Sequence, residues 1–284
     1  FSSLTSRKGQ GTEAEARDRD RQKTQVEVQP SVDAVFMDFP RGARPGTFLH
    51  DIFEHLDFTG DDADIRSLVK EKLEVYGYDE LWLPAVVRMV KDVLSTPLVP
   101  GDPAFTFSTV EKRDRLNELE FYFPLSKIRP EGLSEVLARH GRKVTTGEGA
   151  FSQNRFDFQP VKGFMRGFMD LVFRRRTGHG EKFFIVDWKS NFLGPNPADY
   201  SQENLERAMV EENYDLQYLL YTLALDRHLS LKLGDAYDYV THFGGVFYVF
   251  LRGVNPEGQG AFGIFRDIPS PDLVRDLRRL FWEG

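Results

Sequence analysis

The sequence predicts a mixed α/β fold in which helices cover both faces of a central sheet. The predicted elements occur in the order helices, strand, β-hairpin, helix, strand and closing helix, an order typical of a layered core. The hairpin strands, Phe164–Phe173 and Lys182–Asp187, are apolar almost throughout, and so is the later strand Thr241–Leu251. Strands of this kind are buried on both faces, which requires helices on both sides of the sheet.

Local patterns place the other elements. Thr47 is a candidate N-cap for the first helix, and further helices are predicted as one or two over Asp61–Leu94, one over Gly132–His140, one over Asp199–Leu229 (whole or broken in the middle) and one over Pro271–Trp282. Glu118–Leu125 alternates and is rich in aromatic residues, so it predicts a strand with Glu118, Glu120 and Tyr122 on one face. The polar segment Arg174–Glu181 predicts a hairpin loop too long for a tight turn.

Composition excludes several classes of protein. A net charge of −7 argues against a protein that coats nucleic acid by bulk electrostatics, although local contacts with phosphate remain open. The absence of cysteine excludes disulfides, thiolate zinc sites and cysteine-ligated iron–sulfur clusters. The chain has no GxxxxGK phosphate loop, no apolar run long enough to span a membrane and no secretory signal. We therefore expect a cytoplasmic protein.

The chain divides into two parts of different composition. Residues 1 to about 38 are polar and dense in charge, and they predict a flexible tether. Residues 39–284 are predicted to form the folded domain. Because the chain begins with Phe1 rather than Met, we expect it to be a fragment of a longer polypeptide.

Three ionisable residues interrupt the apolar hairpin: Asp170, Asp187 and Lys189. Asp187 and Lys189 are two residues apart, so they project from the same face of an extended strand. Burial of these charges is costly unless they pair with one another or bind a metal ion. Two interpretations follow. The three residues form an internal salt bridge, or the two aspartates hold a divalent cation beside Lys189.

The metal interpretation points to phosphodiester hydrolysis. Hard oxygen ligands suit Mg²⁺, and carboxylate-held metal ions provide a nucleophilic water, neutralise charge on the phosphate and assist the leaving oxygen. In this hypothesis Lys189 orients or deprotonates the attacking water, or contacts a phosphate oxygen. The backbone carbonyl of Trp188 completes the metal shell.

Several blocks of the sequence resemble one nuclease family. They are GFMRGFMD, VDWKSNFLG, YDLQYLLYTLAL and HFGGVFYVFLRGV, preceded in the same order by PRGARPGTFLHDIFEHLDF and ELEFYFPLS. From about Phe39 to Val254, the chain resembles the C-terminal nuclease domains of the RecB family, the helicase–nuclease subunits of bacterial RecBCD enzymes (exonuclease V). That family belongs to the PD-(D/E)XK nuclease superfamily. The resemblance therefore implies a restriction-endonuclease-like core with a mixed central sheet.

The resemblance also implies roles for individual residues at the metal site. His50, Asp170 and Asp187 match the metal ligands, and Lys189 matches the catalytic lysine. Met169 stands where the superfamily motif has proline, and the second motif takes its Asp form at Asp187.

Further family residues are implied outside the hairpin. Gln217 and Tyr221 match a QxxxY motif on a helix that flanks the site and is implicated in DNA contact. Either Glu118 or Glu120 matches the acidic residue of a neighbouring strand, and we favour Glu120.

The implied function is Mg²⁺-dependent cleavage of single-stranded DNA during double-strand break repair and recombination. The implied partners are DNA, the helicase portion of the same polypeptide, and RecC- and RecD-type subunits. Two alternatives remain. The first is a non-catalytic scaffold of nuclease fold that binds DNA or partner subunits, and the second is a stand-alone nuclease of the same superfamily.

Two groups of basic residues have open interpretations. Arg174–Arg176 either contact DNA phosphate or are solvated at the hairpin tip. His140, Arg142 and Lys143 are a candidate contact to DNA or to a partner subunit. The aromatic residues of the last long strand are predicted to lie in the core: Phe243, Phe247 and Phe250.

Overall fold

The computed structural model describes residues 35–124, 130–142, 159–161, 164–178 and 180–283. Within these ranges the α-helices are α1 (Ala43–His55), α2 (Asp62–Val75), α3 (Leu83–Ser95), α4 (Pro130–Arg139), α5 (Gln202–Glu211), α6 (Tyr214–Leu233), α7 (Tyr239–His242) and α8 (Pro271–Arg278). The strands are β1 (Arg115–Pro124), β2 (Gln159–Val161), β3 (Phe164–Thr177), β4 (Gly180–Lys189), β5 (Phe243–Phe250) and β6 (Ile264–Asp267). Most of the predicted tether, and the candidate contact residue Lys143, lie outside the described ranges.

The strands form one mixed sheet with the order β1-β3-β4-β5-β6. Neighbouring strands are antiparallel except β4 and β5, which are parallel and are connected through α5, α6 and α7. Because β1 occupies one edge of β3 along residues 164–173, β2 and β4 both pair with the other edge. On that edge β2 pairs with residues 164–166 and β4 with residues 171–177. A gap of four residues, 167–170, therefore separates the two ladders.

Helices cover both faces of the sheet, which confirms the predicted architecture. One apolar cluster joins the sheet to α4, α5, α6 and α8, with Leu133, Leu205, Leu219 and Leu273 buried in it. The other joins the sheet to α1, α2 and α3. Phe243, Phe247 and Phe250 are at most 3% exposed, so the prediction that they lie in the core is confirmed. Among the described residues, no helix is long and apolar enough to cross a membrane.

The strict alternation predicted for β1 is wrong at Glu118. Asn117 donates to the Glu54 carbonyl of α1, whereas Leu119 packs on the opposite face with the α6 cluster. Residues two apart in a regular strand share a face, so the strand turns over between them. Glu118 has a φ of 50°, a left-handed conformation that an ordinary strand residue does not adopt. Glu118 and Glu120 therefore do not belong to one regular face.

The prediction of a long hairpin loop is also wrong. β3 and β4 remain paired as far as Thr177 and Gly180, which leaves a loop of two residues, of which His179 lies outside the described ranges. The arginines of this segment are held by acidic side chains: Arg174 by Asp114 at 2.7 Å, Arg175 by Asp102 at 2.8 Å and Arg176 by Glu181 at 3.1 Å. Arg176 and Glu181 are directly opposite in the register, and such a cross-strand ion pair stabilises a sheet. Asp102 and Asp114 lie outside the strands and neutralise the other two arginines.

The first helix begins one turn earlier than predicted. α1 starts at Ala43 after Gly42, which has a φ of 113°, and Pro45 lies in its first turn, where proline is tolerated. The Thr47 hydroxyl donates to the Ala43 carbonyl at 3.0 Å, so Thr47 lies inside the helix and is not its N-cap. The prediction over Asp199–Leu229 left open a whole or a broken helix; the structure has two helices, α5 and α6, separated at Asn213, which adopts a φ of 58°.

Candidate active site

The candidate site lies where β3 and β4 separate. Their ladder ends at the pair Leu171–Val186, and the next position in the register would place Asp170 opposite Asp187. Asp170 instead accepts the Trp188 backbone N–H through Oδ2 at 2.8 Å, so a carboxylate replaces the missing strand partner. The N–H and C=O of one strand residue point to the same edge. The Trp188 carbonyl therefore also lies on the edge facing Asp170.

Helix α1 supports this opening from the other face of the sheet. The Phe53 ring of α1 stacks on the Trp188 indole, with ring centroids 4.4 Å apart and planes within 21° of each other. One turn earlier on the same helix, His50 Nδ1 lies 3.3 Å from Asp170 Oδ2. Since Trp188 points towards α1, its neighbours Asp187 and Lys189 point to the opposite face.

Asp187 and Lys189 form a buried ion pair. Their side chains approach to 2.6 Å between Oδ2 and Nζ, and the two residues are 2% and 5% exposed. Burial raises the pKa of Asp187 to about 7; Lys189 opposes this rise, and the nearby Asp170 carboxylate adds to it. The site therefore favours a compensating positive charge at Asp187.

The pKa of Asp170 shifts in the opposite direction from that of Asp187. Burial alone would raise its pKa, but His50, Lys189 and the Trp188 N–H together outweigh burial and lower it. Two carboxylates at one site thus differ in their affinity for a proton because their surroundings differ. Asp170 is the carboxylate that stays ionised.

The predicted pair Gln217 and Tyr221 lies on α6 beside Lys189. Gln217 Oε1 accepts from Lys189 Nζ at 3.3 Å and from the Tyr248 hydroxyl at 3.0 Å. Its Nε2 donates to the Tyr221 hydroxyl at 2.9 Å. The Lys189 ammonium also lies 3.9 Å from the centroid of the Tyr214 ring, within the range of a cation–π contact. These contacts fix the position of the ammonium group.

The two candidate glutamates of β1 occupy different positions. Glu120 is exposed, lies opposite Phe168 in the register, and its carboxylate is held by Arg166 and by the Tyr122 hydroxyl. Glu118 takes the register position opposite Asp170, between the pairs Asn117–Leu171 and Leu119–Met169. Glu120 as the site residue stays a prediction.

The basic residues after α4 make contacts within the chain. His140 Nε2 lies 2.9 Å from an Asp276 oxygen, and Arg142 Nη1 lies 2.7 Å from an Asp267 oxygen. These contacts hold the end of α4 against α8 and β6. A role in contacting DNA or a partner subunit stays a prediction.

Sequence reasoning missed two residues of the site. Tyr248 lies opposite Asp187 in the parallel ladder, and its hydroxyl is the one polar group that β5 directs to Gln217. Asn191 follows β4, and its Oδ1 accepts from the Tyr214 hydroxyl at 3.2 Å. A signal existed for Tyr248, since it is a tyrosine in a strand otherwise made of Phe, Val and Gly.

The donor set fits a divalent cation. His50, Asp170, Asp187 and the Trp188 carbonyl offer one imidazole nitrogen and several oxygens, a set that hard cations accept. Asp187 Oδ2 is buried, and its contact with Lys189 lacks the geometry of a hydrogen bond. A separate group on α1, Asp51, Glu54 and His55, also has metal-binding spacing. There Lys72 already pairs with Asp51 at 2.9 Å.

Comparison with known proteins defines the class. The family model of the PD-(D/E)XK nuclease superfamily matches residues 38–283, so the chain belongs to this superfamily of metal-dependent nucleases. The predicted fold class is thereby confirmed.

The relatives narrow the class further. The chain is similar to "RecBCD enzyme subunit RecB" of Escherichia coli (strain K12), at 40% identity over 243 residues, which are 86% of this chain and 19% of the relative. It is 36% identical over 246 residues to the same subunit of Haemophilus influenzae, covering 86% of this chain and 19% of the relative. It is 32% identical over 271 residues to the same subunit of Mycolicibacterium smegmatis, covering 85% of this chain and 24% of the relative. The resemblance to RecB nuclease domains is confirmed, and the chain spans about a fifth of these relatives' length.

Proposed function

We propose that this chain is the Mg²⁺-dependent nuclease domain of a RecBCD-type enzyme and hydrolyses phosphodiester bonds in single-stranded DNA. The observation that carries the proposal is the meeting of His50, Asp170, Asp187 and Lys189 at the point where β3 and β4 separate. The names of the relatives support the RecBCD assignment.

The residues of the site have different roles in the proposed hydrolysis. His50, Asp170, Asp187 and the Trp188 carbonyl would hold the Mg²⁺, which when bound neutralises phosphate charge and activates water. Gln217 and Tyr214 hold the Lys189 ammonium in place. From that position Lys189 orients the attacking water or contacts a phosphate oxygen. Burial strengthens each of these electrostatic contacts.

The wider assembly is part of the same proposal. Residues 1–38 tether the nuclease domain, residues 39–284, to a helicase portion of the same polypeptide, and RecC- and RecD-type subunits complete the enzyme. Such an enzyme degrades unwound DNA in the cytoplasm during double-strand break repair and recombination. Net charge of −7 favours a substrate strand that is delivered by the motor over one captured by bulk electrostatics.

Nicking of circular single-stranded DNA tests the proposal. We expect the wild-type chain to nick the circle with Mg²⁺, and we expect EDTA or Asp187→Ala to abolish nicking. Asp272→Ala is the matched control, because Asp272 is an exposed aspartate that pairs with Arg275 on α8.

Metal binding by calorimetry separates the other outcomes. A wild type that binds Mg²⁺ without cutting, in a manner that Asp187→Ala abolishes, would show a metal site that depends on the motor for its substrate. Absence of both cutting and Mg²⁺ binding would refute the proposed nuclease activity. It would leave the alternative of a non-catalytic scaffold of nuclease fold.

A further inference from the structure

Arg252, two residues beyond β5, connects three parts of the chain that carry site residues. It is 5% exposed, and its Nε donates to the Ser190 carbonyl at 2.9 Å. Its Nη1 donates to the carbonyls of Phe36 at 3.2 Å, Met37 at 3.4 Å and Phe39 at 3.1 Å. Its Nη2 donates to the Pro40 carbonyl at 2.7 Å. One guanidinium thus binds the segment before α1 and the end of β4.

Each of these parts leads directly to the site. Ser190 follows Lys189, whose carbonyl accepts the Leu251 N–H at 2.9 Å. Residues 36–40 precede α1, and the Phe39 ring stacks on Phe48 of α1 at 5.3 Å, two residues before His50. β5 itself supplies Tyr248. A shift of the Arg252 contacts would therefore move His50 relative to Lys189.

A second contact next to Arg252 holds the same loop. A Cβ at Gly253 would lie 2.1 Å from Tyr200 Cγ, so this glycine allows the Tyr200 ring to pack against the backbone. The Tyr200 hydroxyl accepts the Leu193 N–H at 3.2 Å. Residues 190–193 are thus fixed from two sides, which makes the end of β4 a rigid platform for Lys189.

We propose that Arg252 is a positioning residue: it sets the distance between the His50 helix and the Asp187–Lys189 strand, and so sets the affinity of the site for its divalent cation. The inference rests on the proposed function, since it concerns the same site. Arg252 acts through the backbone carbonyls of Ser190 and of the segment before α1. Lysine cannot reproduce this role, because its single ammonium lacks the planar fork of donors.

The test compares Arg252→Lys with Arg266→Lys in the whole chain. Arg266 is the matched control: its guanidinium also donates to backbone carbonyls, of Leu98 at 2.6 Å and of Gly260, and neither of these two residues adjoins a site residue in the chain. Mutation of a residue that supports metal ligands typically lowers metal affinity by about 10–100-fold. We expect Arg252→Lys to weaken Mg²⁺ binding by at least about 10-fold in calorimetry, and Arg266→Lys to leave it within about 2-fold.

Hydrogen exchange gives a readout independent of metal and activity. We expect Arg252→Lys to speed amide exchange jointly at residues 36–39 and at Leu251, while Arg266→Lys does not. Phe36→Ala removes the ring whose centroid lies 5.3 Å from the Arg252 guanidinium carbon, and it should speed exchange at the same residues to a smaller extent. This variant replaces Arg252→Lys in the test if Arg252→Lys does not fold.

Unchanged exchange at these residues, or unchanged Mg²⁺ affinity in a folded Arg252→Lys, would overturn the inference. A wild type that neither binds Mg²⁺ nor cuts would instead refute the proposed function, and the exchange result would still decide whether Arg252 joins the segments.

Discussion

The Gln217 side chain offers a quantitative test of the site, because one amide serves three buried partners. Gln217→Leu keeps the approximate size of the side chain but removes the acceptor of the Tyr248 hydroxyl and of Lys189 Nζ, and the donor to Tyr221. A buried polar group left without its partner costs about 1–3 kcal/mol, and more if it is charged. We therefore expect the free energy of unfolding to fall by about 2–4 kcal/mol.

A double-mutant cycle distinguishes this cause from loss of packing. Tyr248→Phe alone removes one hydrogen bond and should cost about 1 kcal/mol. In the Gln217→Leu background it removes the hydroxyl that lost its acceptor, so the double variant should be about 1–2 kcal/mol more stable than the sum of the single effects predicts. Urea unfolding in EDTA measures all four proteins.

The control pair is Gln217→Leu with Tyr237→Phe; the Tyr237 hydroxyl donates at 2.8 Å to Asp226, which lies further along α6. These two changes should add within about 0.5 kcal/mol. If the effects of Gln217→Leu and Tyr248→Phe on the free energy of unfolding were also additive, the hydrogen bond between these residues would contribute nothing. The argument that Gln217 holds a buried hydrogen-bond network would then fail.

Three further predictions concern the supports of the site. Phe53→Ala, which removes the ring stacked on Trp188, should lower the free energy of unfolding by about 3–5 kcal/mol in urea titrations. Gly253→Ala, with its Cβ 2.1 Å from Tyr200, should lower it by about 1–3 kcal/mol; a neutral result would show that Tyr200 moves freely. Burial raises the pKa of Asp215 to about 6 from 3.8, so its contribution to stability is lost as pH rises from 4 to 6. Asp215→Asn should therefore be more stable by about 2 kcal/mol above pH 6 and no more stable below pH 4, as unfolding at pH 3.5 and 8 would show.

The hydrophobic pattern was enough to predict the fold because the central strands β4 and β5 are buried along most of their length. Runs such as Phe164–Phe173 leave no polar face for solvent, so helices on both sides follow from sequence alone. The hairpin tip was mispredicted for a related reason. Arg174–Arg176 are polar, yet they stay in the strand because acidic partners from distant segments, Asp102 and Asp114, neutralise them.

The site was predictable where its charges break an apolar pattern, and not where it depends on backbone geometry. Asp187 and Lys189 stand out in a buried strand, and their pairing follows from a spacing of two. The left-handed Glu118 does not stand out, because glutamate carries no preference for positive φ. The partners of Arg252 are equally hidden, since carbonyl oxygens of residues 36–40 have no identity in a sequence.

The separation of β3 and β4 explains how two carboxylates can share an apolar sheet. Had the ladder continued past Leu171, the Trp188 N–H and C=O would both pair with β3, and Asp170 would have no donor there. Because the strands part, the N–H satisfies Asp170 and the carbonyl is left on the same edge for a cation. The backbone thus supplies one donor that stabilises a negative charge and, in the proposed site, one acceptor for a positive charge. The gap in the β3 edge, rather than any single side chain, is the feature on which the proposed metal site depends.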